Sequence, residues 1–424
     1  MLSKEGKQFN LSTEIIAGFT TFLTMAYIIF VNPQILSATG MDKTALIAIT
    51  CLVSGLVTIL TGLLTNTPIA MAPGMGLNAY FAYTLVLNQK ISWHIALGIV
   101  FISGLFFFLL TLVGLREKLV QAIPKDLLNG IAVGIGVFIA FIGLQNLGII
   151  VKNPATMVAA GPISKTALIG LAGLLLIILL EIKKIKGSLL IGIVFSTLLG
   201  LIFGYSHMPK HIISFNLHIS KIFGKLDIIG ALKIGFLAPI FSLMFIDLFD
   251  SIGSLIGLAH EADMVDEKGN IPKLNPLLAV DAGATMLGAI AGTSTTTTYI
   301  ESAAGIEAGG RTGITSITTG LLFILSMVFV PLLSIVPPYA TAPALIMVGF
   351  FMMKNITKIN FKDMEVGFPS FIIIIMIALS YSISTGLAFG FLSFGLIKIM
   401  RGKFKELSIT MWVIDILSIL FFVV

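Results

Sequence analysis

The sequence predicts an all-α polytopic membrane protein of about fourteen spans, built as two inverted seven-span repeats, with short strands and half-helices in the third and tenth spans. Composition carries the first part of that expectation. Hydrophobic residues make up 57% and charged residues 11% of the 424 positions, the mean hydropathy is +1.06, and a soluble domain holds roughly one-quarter charged residues. Patterning carries the second part: apolar runs near the ~20 residues that cross a bilayer recur in two sets of seven. The third observation is that both sets are interrupted at the same place, in their third run.

In the first set the runs lie near 14–31, 43–65, 69–87 (interrupted), 92–115, 127–150, 164–182 and 186–204. In the second they lie near 230–258, 275–291, 293–308 (interrupted), 314–336, 340–353, 366–382 and 384–400. The opening residues lack the apolar core and small-residue cleavage site of a signal peptide, so the first run is expected to stay in the protein. A more polar connection, Tyr205 to Asp227, joins the sets and holds His207, His211 and His218. The closing run, Ile409 to Val424, is apolar but broken by Asp415, and reads either as an extra span or as a helix lying against the bundle. Pro124 and Pro337 precede the fifth and twelfth runs, a further sign of repetition. Because seven is odd, the second set must enter the membrane upside down relative to the first.

The net charge of +6 is spread through short loops and forms no single basic face, so nucleic acid is not an expected partner. With the N-terminus in the cytoplasm, one side collects Arg116, Lys118, Lys125, Lys183, Lys184, Lys186, Lys354, Lys358, Lys362, Lys398, Arg401, Lys403 and Lys405. The other side collects mainly Lys43, Lys90, Lys152 and Lys165 with a few in the long connection, and the positive-inside rule prefers this orientation. The single cysteine, Cys51, excludes an intramolecular disulfide.

The interruptions are the places where polar chemistry enters the membrane. The first, T-P-I-A-M-A-P-G-M-G-L-N-A-Y-F-A-Y (67–83), uses Pro and Gly to break the run and places Asn78 where helix resumes. The second, Gly292 to Gly313, is rich in Thr and Gly and carries Glu301. Thr295 to Tyr299 suits a short extended piece, and Glu301 to Ala308 suits a half-helix that Gly309 and Gly310 stop. Half-helices that begin at the bilayer midplane leave backbone N–H groups free, and paired interruptions of this kind are the best sequence pointer to a transport site.

The eighth run, F-S-L-M-F-I-D-L-F-D-S-I-G-S, places Asp247, Asp250 and Ser254 at i, i+3 and i+7, on one helix face. A carboxylate at the centre of a span costs at least about 2.5–3.5 kcal/mol, so two imply a polar cavity, a proton or a partner. The plain alternative for either acid is a hydrogen bond to a neighbouring helix. Asp281 lies among small residues and is as well explained by an interhelical bond, Asn78 can glue helices, and Thr21, with Thr20, either lines the same cavity or bonds its own helix backbone. The scattered histidines form no metal motif, and no Gly-rich stretch has a nucleotide fingerprint. No nucleophile, base and orienting group occur together, so an enzyme is not expected.

Four phrases, at 20–33, 72–83, 245–257 and 293–313, resemble in order the AzgA-like purine permeases, which transport adenine, guanine and hypoxanthine. That group is similar to the uracil and xanthine permeases of the wider nucleobase–cation symporter (nucleobase–ascorbate transporter) family. The resemblance implies a UraA-like fold split into core (1–116 and 230–336) and gate (117–229 and 337–407), with 408–424 an additional apolar segment. It implies a substrate site of Glu301, Asp250, Asn78, Thr21 and Ile300, with Asp250, Glu301 and Asp247 as proton-coupling candidates and no cofactor or metal. Ser254 stands where some relatives carry His. The expected partners are a purine nucleobase, a proton with sodium as the alternative, and the lipid bilayer of the cell membrane, a homodimer being left open. An anion transporter of the same architecture and a uracil- or xanthine-type permease are the competing readings.

Overall fold

The computed structural model describes residues 10–114, 123–209, 211–214, 217–266, 271 and 273–423. Arg116 and Lys118, which the sequence reading places in a loop, lie outside the described residues. The first half of the chain runs α1 (Leu11–Met25), α2 (Ile28–Leu36), α3 (Lys43–Thr65), β1 (Met71–Pro73) and α4 (Met75–Ala79). It continues through α5 (Trp93–Leu112), α6 (Lys125–Asn146), a hairpin of β2 (Ile150–Asn153) and β3 (Met157–Ala160), α7 (Lys165–Ile182) and α8 (Ser188–Ile202). The second half runs α9 (Leu237–Glu261), α10 (Leu274–Ala291), β4 (Thr296–Thr298), α11 (Ser302–Glu307) and α12 (Gly313–Ser326). It ends with α13 (Pro338–Met353), α14 (Met364–Ser380), α15 (Ile383–Met400) and α16 (Ile409–Val423). Among the described residues, ten helices are long and apolar enough to cross a membrane, and α8 and α14 are shorter apolar helices.

Three local features differ from the sequence expectation. The run at 14–31 is two helices, α1 and α2, with the break at Ala26 and Tyr27, where no Pro or Gly marks it. Residues Tyr80–Asn88, expected to resume as α-helix, are π-helical, a geometry that turns up mostly at functional sites. The connection after α6 folds into the β2–β3 hairpin.

Helices in a bilayer gain little from hydrophobic association and rely on close packing over small residues. In α3 and α12 the backbones touch at two points two turns apart. A Cβ on Gly55 would lie 2.8 Å from the Gly320 carbonyl oxygen, and one on Gly313 would overlap the carbonyl of Gly62. In α6 and α13 the same device recurs, with a Cβ on Gly136 lying 2.8 Å from the Gly349 oxygen. Helices α1, α3, α5, α9, α10, α11 and α12 pack largely on one another, and so do α6, α7, α8, α13, α14 and α15. The closing helix α16 lies on α15, with Asp415 against Gly395, and also touches α9.

The start of α1 is fixed by an acid. Glu14 is buried, and its carboxylate accepts from the backbone N–H groups of Arg311 (3.1 Å) and Thr312 (3.2 Å) and from the Thr315 hydroxyl. Glu14→Ala would orphan all three donors at about 1 kcal/mol or more each. We expect a loss on the order of 3 kcal/mol, read as a lower midpoint of thermal unfolding of the purified protein, with Glu14→Gln milder because its amide oxygen still accepts. An unchanged midpoint for Glu14→Ala would refute the assignment.

Candidate functional site

The two interrupted spans are one unit. β1 pairs antiparallel with β4, in the register Met71↔Thr298, Ala72↔Thr297 and Pro73↔Thr296. Extended backbone inside a membrane has to find its hydrogen-bond partners within the protein, and here each strand supplies them to the other. Gly74 N–H donates to Thr295 O and Tyr299 N–H to Ala70 O, both at 3.0 Å, which lengthens the ladder at each end. The Tyr299 hydroxyl donates to Pro73 O at 2.7 Å, and Ala70 N–H donates to Ser302 Oγ at 3.0 Å.

Each strand leads directly into a half-helix, and the two half-helices begin differently. At α4 the N–H groups of Met75, Gly76 and Leu77 have no backbone acceptor and no side-chain cap among the described residues. At α11 the N–H groups of Ser302, Ala303 and Ala304 fold back onto the carbonyls of Tyr299, Ile300 and Glu301 (3.1, 3.0 and 3.0 Å). The free N–H groups expected at both half-helices are therefore concentrated at α4.

Glu301 sits at the N-cap of α11, half-buried, and its Oε1 accepts from the Tyr27 hydroxyl at 2.5 Å. Asp250, halfway along α9, is exposed. An acid is not turned toward lipid at that depth, so its exposure marks a polar cleft. The same face of α9 carries Gly253 and Gly257, also exposed, and nothing stands within 4 Å of a Cβ built on Gly253. Ile300 is 52% exposed, and its Cδ1 lies 3.8 Å from the Cβ position of Gly257. The start of α4 closes the arrangement, since a Cβ on Gly74 would lie 3.6 Å from Asp250 Oδ2. Asp250 is near enough to Asp281 and to Glu301 to interact electrostatically with both. The structure thus brings Glu301, Ile300 and Asp250 to one opening that runs toward the Glu261 end of α9.

Thr21 and Asn78 are buried and do not reach that opening. Thr21 packs against Gly305 of α11, and its hydroxyl has no partner among the described residues. Asn78 Oδ1 accepts from the Ser294 hydroxyl, while Nδ2 has no partner among the described residues. Asp247, one turn before Asp250, is buried in a polar cluster. Ser251 Oγ lies 2.9 Å from Asp281 Oδ1, 3.3 Å from Asp247 Oδ1 and 2.8 Å from Thr297 Oγ1. Thr285 Oγ1 lies 3.3 Å from Asp247 Oδ2 and donates to Thr296 O at 3.0 Å. This cluster holds the back of β4, so the two acids of α9 occupy different surroundings despite their shared spacing.

Sequence reasoning missed Tyr27, Tyr299 and Ser251. Tyr27 lies in the phrase T-M-A-Y, where only a tyrosine buried among apolar neighbours, needing a hydroxyl partner, could have flagged it. The assembled opening offers two carboxylates as acceptors and a row of backbone N–H groups as donors, with Ile300 as an apolar wall. Such a set suits a small, flat, uncharged molecule that carries both N–H donors and ring acceptors on its edges.

A model of a family described as Permease family (Xan_ur_permease) matches residues 12–389. Adenine permease AdeP of Escherichia coli K12 is 42% identical over 409 residues, covering 96% of this chain and 92% of that protein. Guanine/hypoxanthine permease PbuG of Bacillus subtilis is 41% identical over 422 residues, covering 97% and 96%. Among solved structures, the transmembrane domain of the cyanobacterial bicarbonate transporter BicA matches with a TM-score of 0.69 at 15% identity, covering 90% of this chain and 98% of that one. That match shows a shared fold.

Proposed function

This chain belongs to the Permease family, making it a multi-pass membrane transport protein, and from that premise we propose that it imports purine nucleobases (adenine, guanine or hypoxanthine) across the cell membrane. The observation that carries the reading is that Asp250 and Glu301 face one opening beside the uncapped start of α4. A purine presents ring N–H groups that carboxylates accept and ring nitrogens that backbone N–H groups can reach, and sites of this kind reject analogues lacking a needed group by large factors. The names of the relatives, adenine permease and guanine/hypoxanthine permease, support the same class. An anion carrier of the BicA architecture is the weaker reading, because two acids at the opening would repel an anion unless protonated.

Ten long apolar helices and two shorter ones among the described residues, taken with the two interrupted segments, support a reading of fourteen spans in two inverted repeats. The packing groups described above support a core (1–116 and 230–336) that rocks against a gate (117–229 and 337–407), with the N-terminus cytoplasmic. Proton symport is the coupling we favour. A proton on Asp250 or Glu301 lowers the cost of closing the site around them, and Asp247 beside Asp281 is a further carrier candidate.

The opening faces the cytoplasmic end in this orientation, while the opposite end is closed by contacts between core and gate. Tyr80 shares a 2.5 Å hydrogen bond with Ser384, and Thr84 Oγ1 donates to Tyr381 O at 3.1 Å. Removing both bonds with Tyr80→Phe and Thr84→Val is expected to favour the outward-open state. The readout is labelling of Ala238→Cys, which lines the same cavity as Ser384 without bonding Tyr80, by an external membrane-impermeant maleimide. Two bonds of about 0.5–1.5 kcal/mol each predict a rise of about tenfold, and an unchanged rate would refute the closure. The function itself is tested by uptake of radiolabelled adenine, hypoxanthine, guanine and uracil in cells lacking their own nucleobase permeases, with and without a protonophore. Saturable purine uptake that the protonophore abolishes is the expected result; uptake that survives it would remove proton coupling, and no uptake of any base would favour the anion reading.

A further inference from the structure

We infer that Tyr27 is a positioning residue for transport, holding the Glu301 carboxylate in the orientation that receives substrate; the inference rests on the purine-carrier reading above. The sequence builds this contact in three steps. At Ala26 and Tyr27 the α-helical hydrogen-bond pattern is interrupted while the dihedrals stay helical, and the N–H groups of Ile29 and Phe30 donate three residues back, to Ala26 O and Tyr27 O, both at 3.1 Å. This tightened turn separates α1 from α2 and sets the direction of the Tyr27 side chain. Tyr27 is wholly buried, and a hydroxyl at such a place needs a partner. The partner is Glu301 Oε1, at 2.5 Å.

The half-helix that carries Glu301 is seated on α1 beside this contact. A Cβ on Gly305 would overlap Thr21 Oγ1 and lie 2.7 Å from Ala17 O, and one on Gly310 would lie 2.8 Å from Ala17 Cβ. One turn before Tyr27, Thr24 Oγ1 lies 3.4 Å from Glu301 O. α1 therefore seats the backbone of Glu301, and the turn that follows α1 holds its side chain. With Oε1 held by a donor, the carboxylate is kept as an acceptor and turned so that Oε2 is available to a ring N–H. Pre-orientation of this kind acts on binding, because the bound geometry no longer has to be selected from several.

Tyr27→Phe removes one oxygen and keeps the ring, so it separates positioning from packing. The experiment is initial-rate purine uptake, with rates normalised to the amount of transporter at the cell surface. A hydrogen bond to a charged group carries enough energy for a change of about tenfold or more. The expected result is a KM raised about tenfold with the maximal rate within about twofold of the unmodified protein. A purely structural tyrosine would instead lower the amount of carrier at the surface and leave the normalised maximal rate and KM unchanged, and that result would overturn the proposal, as would a fall in the normalised maximal rate at constant KM.

A second measurement asks whether Tyr27 acts through Glu301. Binding of radiolabelled hypoxanthine to the purified protein should weaken about tenfold on Tyr27→Phe alone, yet change less than about twofold when the same substitution is made in a Glu301→Ala background. Independent, multiplying losses would overturn the proposal. Absence of purine uptake by the unmodified chain is a distinct outcome. It would overturn the carrier reading itself and the role assigned to Tyr27 with it.

Discussion

Glu301→Gln is expected to lower purine uptake, measured as kcat/KM, by at least about a hundredfold while leaving the protein folded and in the membrane. The substitution is nearly isosteric, so the loss comes from hydrogen-bond polarity. The Tyr27 hydroxyl, which donates to Oε1 of Glu301, will claim the amide oxygen of the introduced side chain, and the amide nitrogen is then forced toward the ligand. A donor would face the ring N–H of the purine where an acceptor stood before. Removing a charge-assisted bond and leaving a buried donor unpaired costs about 1.5–3 kcal/mol for each of those effects, and sites that read a hydrogen-bonding edge discriminate by larger factors still. Asp250→Asn should fall in the same range but retain more binding, because Asp250 is exposed in the cleft, where its amide replacement is free to turn. Full concentrative uptake by both variants would contradict the assignment of the site.

The largest effect on folding is expected from Gly313→Val. A Cβ there would overlap the carbonyl of Gly62 with no flexible side chain to move aside, because the obstructing atoms are backbone. The two helices would have to separate along a contact that also includes Gly55 and Gly320. Overpacking of this kind costs about 1–3 kcal/mol in a soluble core, and more is expected where close backbone approach is the main source of helix association. The predicted outcome is little or no monodisperse protein on size exclusion after detergent extraction. Gly283→Ala is the control, since nothing lies within 4 Å of its Cβ position, and it should behave as the unmodified protein does. Normal yield and thermal stability of Gly313→Val would show that the α3–α12 contact is not needed for folding.

Much of this arrangement is legible in the sequence, for identifiable reasons. The apolar runs are long because the bilayer requires length, and the interruptions stand out because Thr, Gly and Pro are costly in a span unless something answers them. The strand at Thr296–Thr298 and the stop of α11 at Gly309, whose φ is +102°, follow from local chemistry. Pairings between distant segments are harder to read. The partner of β4 lies more than two hundred residues away in β1, and nothing local specifies that Thr297 faces Ser251 while Thr296 faces α10. The break at Tyr27 is silent because no breaker residue marks it. Helical spacing alone placed Asp247 and Asp250 together. Packing distinguishes them, because Asp247 is buried against Ser251 and Thr285 behind β4 while Asp250 stays exposed, although Asp281 lies near both.

The central claim, that this chain carries purines by means of its own two acids with a proton as the coupled ion, is tested most directly in liposomes. Purified protein would be reconstituted and given an inward proton gradient as the sole driving force, with radiolabelled hypoxanthine and adenine outside. Accumulation of at least one of them that collapses with the gradient, and that is lost in liposomes holding Glu301→Gln, is the predicted result. No purine movement, or accumulation indifferent both to the gradient and to Glu301, would contradict it.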